Sequence, residues 1–97
     1  MAWDKDLEQL HRRRELAEAQ GGETNVGRQH AAGRLTVRER IDQLVDPESF
    51  QEIGKTTGVA EYSDNGELLG LTPAPYVAGL AKVNERPIVV GGEDFTV

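Results

Sequence analysis

The chain has 97 residues, 37% apolar and 29% charged, with 17 acidic against 11 basic side chains and a formal charge of −6. That length holds one small core, or a piece of a larger domain, and excludes two independent cores, while the acidic balance argues against nucleic-acid binding through bulk electrostatics. There is no cysteine, which excludes a disulfide scaffold and a thiol nucleophile, and no stretch reaches the ~18 apolar residues of a membrane span.

Two histidines far apart in sequence, His11 and His30, do not make a zinc site, so no metal ligands are expected. The N-terminus lacks the basic start and apolar run of a signal peptide, and a cytoplasmic chain is expected.

Trp3, Leu7, Leu10, Arg14 and Ala17 recur at steps of four and three with charges between them, predicting an amphipathic helix over about 3–19. Its stripe is thin, so the helix must lie across another surface. Arg12 to Arg14 are surrounded by acids at helical spacing and are read as paired within the helix. Gly21-Gly22 ends it, and Glu23 to Gly33 is expected to be an irregular connector. Thr36-Val37-Arg38-Glu39 is a capping box opening a helix over about 37–45, with Val37, Ile41, Leu44 and Val45 as its buried face and Asp46-Pro47 as its stop.

The periodicity then shortens to two. Strands are predicted at about 50–53, 58–62, 76–83 and 87–91, with Ser63-Asp64-Asn65-Gly66 as a tight turn. Leu68 to Pro75, punctuated by Gly70, Pro73 and Pro75, is expected to be loop or irregular edge, and Ile88-Val89-Val90 a run buried on both faces. Gly79 is read as a close-packing position; Gly91-Gly92 fits packing or a ligand equally. Glu93-Asp94 is read as a turn element rather than an acid–base pair, because adjacent residues in extended chain point opposite ways.

Between positions 28 and 40 four arginines, Arg28, Arg34, Arg38 and Arg40, face only Glu39. A local anion site is therefore available inside an acidic chain, with solvated or paired arginines as the competing reading.

The segment Gln29 to Ile41, the following Leu44-Val45-Asp46-Pro47-Glu48-Ser49-Phe50-Gln51-Glu52 and the closing Gly92 to Val97 resemble the N-terminal region of the carboxyltransferase β-subunits of biotin-dependent acyl-CoA carboxylases, of the propionyl-, methylcrotonyl- and acetyl-CoA type. The resemblance implies an α/β fold, the opening helices and first strands of a crotonase-like carboxyltransferase domain, with residues 1–97 as its incomplete N-terminal portion. It implies a reaction in which carboxybiotin, carried by a partner subunit or domain together with its biotin carboxylase, delivers CO2 to the α-carbon of an acyl-CoA.

No catalytic residue is expected within 1–97. The resemblance makes Phe95 and Thr96 candidates for lining the CoA path; Arg28, Arg34 and Arg38 are candidates for its phosphates or, alternatively, anchors of the helices on the sheet. A homo-oligomer of the whole subunit is expected, with neither nucleic acid nor membrane as partner. The stretch from Gly66 to Tyr76 is longer and more apolar than the turn the resemblance implies. The competing expectation is a truncated chain or small interaction module that docks on a carboxylase subunit.

Overall fold

The computed structural model describes residues 2–97 as three helices followed by five strands. Helix α1 (Asp4–Glu18) begins with Asp4 and Asp6 in its first turn, where acidic side chains complement the helix dipole. Of its apolar stripe only Ala17 is buried, whereas Trp3 is 70% exposed. The helix lies against strand β3 (Leu68–Pro73). Arg13 does not pair within the helix as its acidic neighbours suggest: it fastens the helix to the segment ahead of β3, donating from Nε to the Thr56 carbonyl at 3.0 Å and from an Nη to Tyr62 Oη at 2.9 Å. Arg12 does pair within the helix, with Glu15 at 3.5 Å.

Helix α1 turns out through Gln20, itself at φ 56°, and Gly22 at φ 92°. Gly21 is needed for a different reason: a Cβ there would run into the Thr96 carbonyl. The expected connector contains a nine-residue helix, α2 (Glu23–Ala31). It buries no residue, so it has no apolar period to be read, and Glu23 in its first turn with Arg28 and His30 in its last suit the dipole.

Helix α3 (Val37–Leu44) carries the full capping box: Glu39 N–H donates to Thr36 Oγ1 at 3.3 Å and Thr36 N–H to Glu39 Oε1 at 2.8 Å. Val37 and Ile41 are buried, but Leu44 is 55% exposed, so the buried face is narrower than its sequence pattern.

Strands β1 (Gln51–Ile53), β4 (Tyr76–Val83) and β5 (Arg86–Glu93) form one antiparallel sheet in the order β1-β4-β5. The core sits between this sheet and α3, where Val37, Ile41 and Val77 meet with Val45, Phe50 and Val90 packed around them. Gly79 is the close-packing position, because a Cβ there would strike the Gln51 carbonyl and the Phe50 ring. The Ile88–Val90 run is not buried on both faces: alternate residues turn inward and Val89 is 81% exposed.

Strand β2 (Gly58–Tyr62) pairs with β3 as a separate two-stranded sheet, with a register shift at Glu61/Tyr62. The expected loop at Leu68–Pro75 is thus mostly strand. Pro73 is tolerated because it stands opposite Gly58, next to the position where the Ala74 N–H donates to the Thr57 carbonyl at 2.9 Å, so its missing N–H faces away from β2. Asp46 closes the other end of the molecule. Its carboxylate accepts from Asn84 N–H at 2.9 Å and Glu85 N–H at 2.7 Å, holding the β4–β5 turn, whose two central residues have positive φ. Among the described residues no helix is long and apolar enough to cross a membrane.

Candidate anion-binding site

The α2–α3 corner is braced by its own polar groups. Arg34 N–H donates to the Gln29 carbonyl at 3.1 Å and Gln29 Nε2 to the Leu35 carbonyl at 3.2 Å. His30 Nε2 lies 2.6 Å from Glu39 Oε1, the same oxygen that caps α3. The hydrogen bond from His30, and then that from the Thr36 N–H, hold the Glu39 carboxyl down at about 2. The one acid of the basic segment is therefore committed to structure. Arg28, Arg34 and Arg40 remain without an ion pair among the described residues.

Phe95 is brought to this corner from the far end of the chain. Around it the backbone alternates: Asp94 and Thr96 are each 4% exposed, and Phe95 between them is 71% exposed. Asp94 N–H donates to the Pro75 carbonyl at 2.9 Å, and Asp94 Oδ1 accepts from Thr96 N–H at 2.9 Å and Thr96 Oγ1 at 2.6 Å. Thr96 Oγ1 in turn accepts from Gly21 N–H at 2.9 Å. This clasp pins the closing segment to the α1–α2 corner and presents the Phe95 ring outward. Asp94 is thereby a turn element, as its sequence position predicts.

The result is an open hollow of about 410 Å³ lined by Gln29, Arg34, Leu35, Arg40 and Phe95. Two guanidinium groups beside an exposed aromatic ring can take a phosphate and a planar or apolar group together.

Of the candidates named from sequence, Arg34 and Phe95 meet here. Arg28 stands exposed on α2 outside the lining, and Thr96 is turned inward. Arg38 belongs to another surface: its guanidinium grips both oxygens of Glu52 at 2.6 and 2.9 Å, tying α3 to β1. That pair borders a second hollow of about 580 Å³, where Lys55 also pairs with Glu18. The hydrogen bond from Lys55 lowers the Glu18 carboxyl below its usual range.

Gln29, Leu35 and Arg40 are the lining residues that the candidate set lacks. A signal for Arg40 was present, since residues two apart on a helix diverge by roughly 160°. Once the capping box fixes the phase of α3, Arg38 and Arg40 cannot share a site.

Residues 28–97 match the carboxyl transferase domain family. The chain is 38% identical over 96 residues to the methylmalonyl-CoA carboxyltransferase 12S subunit of Propionibacterium freudenreichii subsp. shermanii, covering 94% of this chain and 17% of that protein. It is likewise 38% identical over 93 residues to the propionyl-CoA carboxylase beta chain of Roseobacter denitrificans, at 94% and 18% coverage. A solved transcarboxylase 12S structure, described as a hexamer with methylmalonyl-coenzyme A bound, superposes with a TM-score of 0.74 at 36% identity and covers 94% of this chain. The chain thus spans less than a fifth of the length of these relatives.

Proposed function

The chain belongs to the carboxyl transferase domain family, and on that premise we propose that it forms part of a carboxyltransferase moving CO2 from carboxybiotin to the α-carbon of an acyl-CoA. Its α/β arrangement is that of a crotonase-like carboxyltransferase. Within such an enzyme this chain acts on the acyl-CoA side.

The observation that carries the reading is the hollow in which unpaired Arg34 and Arg40 flank the exposed Phe95 ring. CoA offers matching chemistry, with phosphates for the guanidinium forks and an adenine ring whose face stacks on an exposed aromatic, worth about 1–3 kcal/mol where stacking is complete. Arg28 extends the positive surface along α2. Arg38 and Thr96 serve as fasteners, the first holding α3 on the sheet and the second aiming Phe95. Biotin, on a partner subunit or domain, supplies the activated carboxyl group. The hollow's guanidinium pair suits an anion rather than a neutral ureido ring, so no step is assigned to this chain on the biotin side.

Calorimetric titration of the chain with CoA and with 3′-dephospho-CoA tests the reading. Replacing Arg34→Ala together with Arg40→Ala is expected to weaken CoA binding about tenfold or more. Equal affinity of the variant and the unaltered chain would reject the site.

A further inference from the structure

Helix α2 buries no residue and, among the described residues, packs on no other helix or strand. Within these residues its angle is therefore set by polar bonds at its two ends. At its start Gly21 N–H donates to Thr96 Oγ1 at 2.9 Å. At its end three bonds tie it to the segment that leads into α3: Gly33 N–H to the His30 carbonyl at 2.9 Å, Arg34 N–H to the Gln29 carbonyl at 3.1 Å and Gln29 Nε2 to the Leu35 carbonyl at 3.2 Å. One side-chain bond reaches α3 itself, between His30 Nε2 and Glu39 Oε1 at 2.6 Å.

A carboxyl held at about 2 is ionised at neutral pH and can only accept, so His30 must carry a proton on Nε2 and donate it. The same Oε1 accepts from Thr36 N–H at 2.8 Å, while Thr36 Oγ1 accepts from Glu39 N–H at 3.3 Å. The last turn of α2, the first turn of α3 and the N-cap between them thus meet at one carboxylate oxygen. Gln29 and Arg40, which line the hollow, are each the sequence neighbour of one member of the His30–Glu39 pair. Consecutive helical residues diverge by about 100°, so the pair closes the corner beside the hollow and stays out of its wall. The bonds of this corner lie within residues 29–39, and they draw on no surface outside it.

We propose that His30 is a positioning residue for the anion-binding hollow: by donating to Glu39 it fixes the angle between α2 and α3, and with it the placement of Gln29 and Arg34 against Arg40. The consequence for CoA rests on the function proposed above; the angle does not.

Residual dipolar couplings of the isotope-labelled chain read the α2–α3 angle without any ligand. His30→Ala keeps a good helix former in α2 and should turn α2 relative to α3. His30→Gln, whose amide nitrogen can donate to the same oxygen, should return it. Calorimetry with CoA then reads the consequence, with binding about fivefold weaker in His30→Ala, as expected for one hydrogen bond, and recovered in His30→Gln. An unchanged angle in His30→Ala, or a glutamine variant as displaced as the alanine one, would overturn the positioning role whether or not CoA binds. So would a turned helix with unaltered CoA affinity, or loss of the whole fold in His30→Ala by circular dichroism, which would make the residue structural only. A shifted and rescued angle in a chain that binds no CoA would uphold the brace and reject the function proposed above.

Discussion

Replacing Thr96→Val removes one hydroxyl and keeps the side chain's shape. In the folded chain that hydroxyl accepts from Gly21 N–H at 2.9 Å and donates to Asp94 Oδ1 at 2.6 Å, at a residue 4% exposed. The first is a neutral hydrogen bond of about 1 kcal/mol and the second, to a carboxylate, is worth about 1.5–3 kcal/mol. Valine leaves the Gly21 N–H without its partner, so the expected loss is about 3 kcal/mol. With a urea slope near 1.3 kcal/mol per molar for a chain this small, the unfolding midpoint falls by about 2 M. Thr96→Ser keeps both bonds and forfeits one methyl, for a loss of about 1 kcal/mol. Urea titration followed by far-ultraviolet circular dichroism reads all three proteins. A Thr96→Val loss below about 0.5 kcal/mol, or a serine variant as unstable as the valine one, would refute the clasp as the device that holds Phe95 in place.

Asp46→Ala leaves the Asn84 and Glu85 N–H groups without their acceptor; about 1–2 kcal/mol of stability should be lost by the same urea titration. Glu85→Gly, at φ 68°, should gain about 1 kcal/mol by relieving the left-handed backbone. Gly79→Ala should cost about 1–3 kcal/mol, because the added Cβ forces the Gln51 carbonyl and Phe50 ring aside and loosens β1.

Glu39 sets a pH dependence: its folded carboxyl, at about 2 against an ordinary 4.5, contributes stability that is complete above 4.5 and lost as pH falls toward 2. The unfolding midpoint should drop across that window, and Glu39→Gln should flatten the drop; an unchanged slope would show that the His30 and Thr36 contacts do not hold the carboxylate.

Local chemistry made some of this structure legible in the sequence. The Thr36–Glu39 capping box is a pair of reciprocal hydrogen bonds within four residues, and it forms as written. The Ser63 to Gly66 turn is equally local, with Gly66 at φ 83°. Helix α2 was illegible because it buries nothing and so leaves no apolar rhythm. Strand β3 was obscured by Gly70 and Pro73, residues that disqualify a central strand but not one in a two-stranded pair. Val89 sits in an apolar triplet that reads as doubly buried, but among the described residues nothing packs on its face of the sheet.

The candidate site divides in the same way. Charge counting found the basic segment, but choosing Arg40 over Arg38 required the phase of α3 and the position of Glu52 on β1. The clasp of Gly21, Asp94 and Thr96 joins residues 75 positions apart, a separation at which no motif carries information.

The α2–α3 corner and Phe95 act as one anion-binding surface in the proposed function. Amide chemical-shift mapping of the isotope-labelled chain during a CoA titration tests it most directly. Shifts should concentrate at residues 28–35, at Arg40 and at residues 94–96, and be reversed by high salt. Shifts centred instead on Arg14, Arg38 and Lys55 in the neighbouring hollow, or none at saturating CoA, would contradict it.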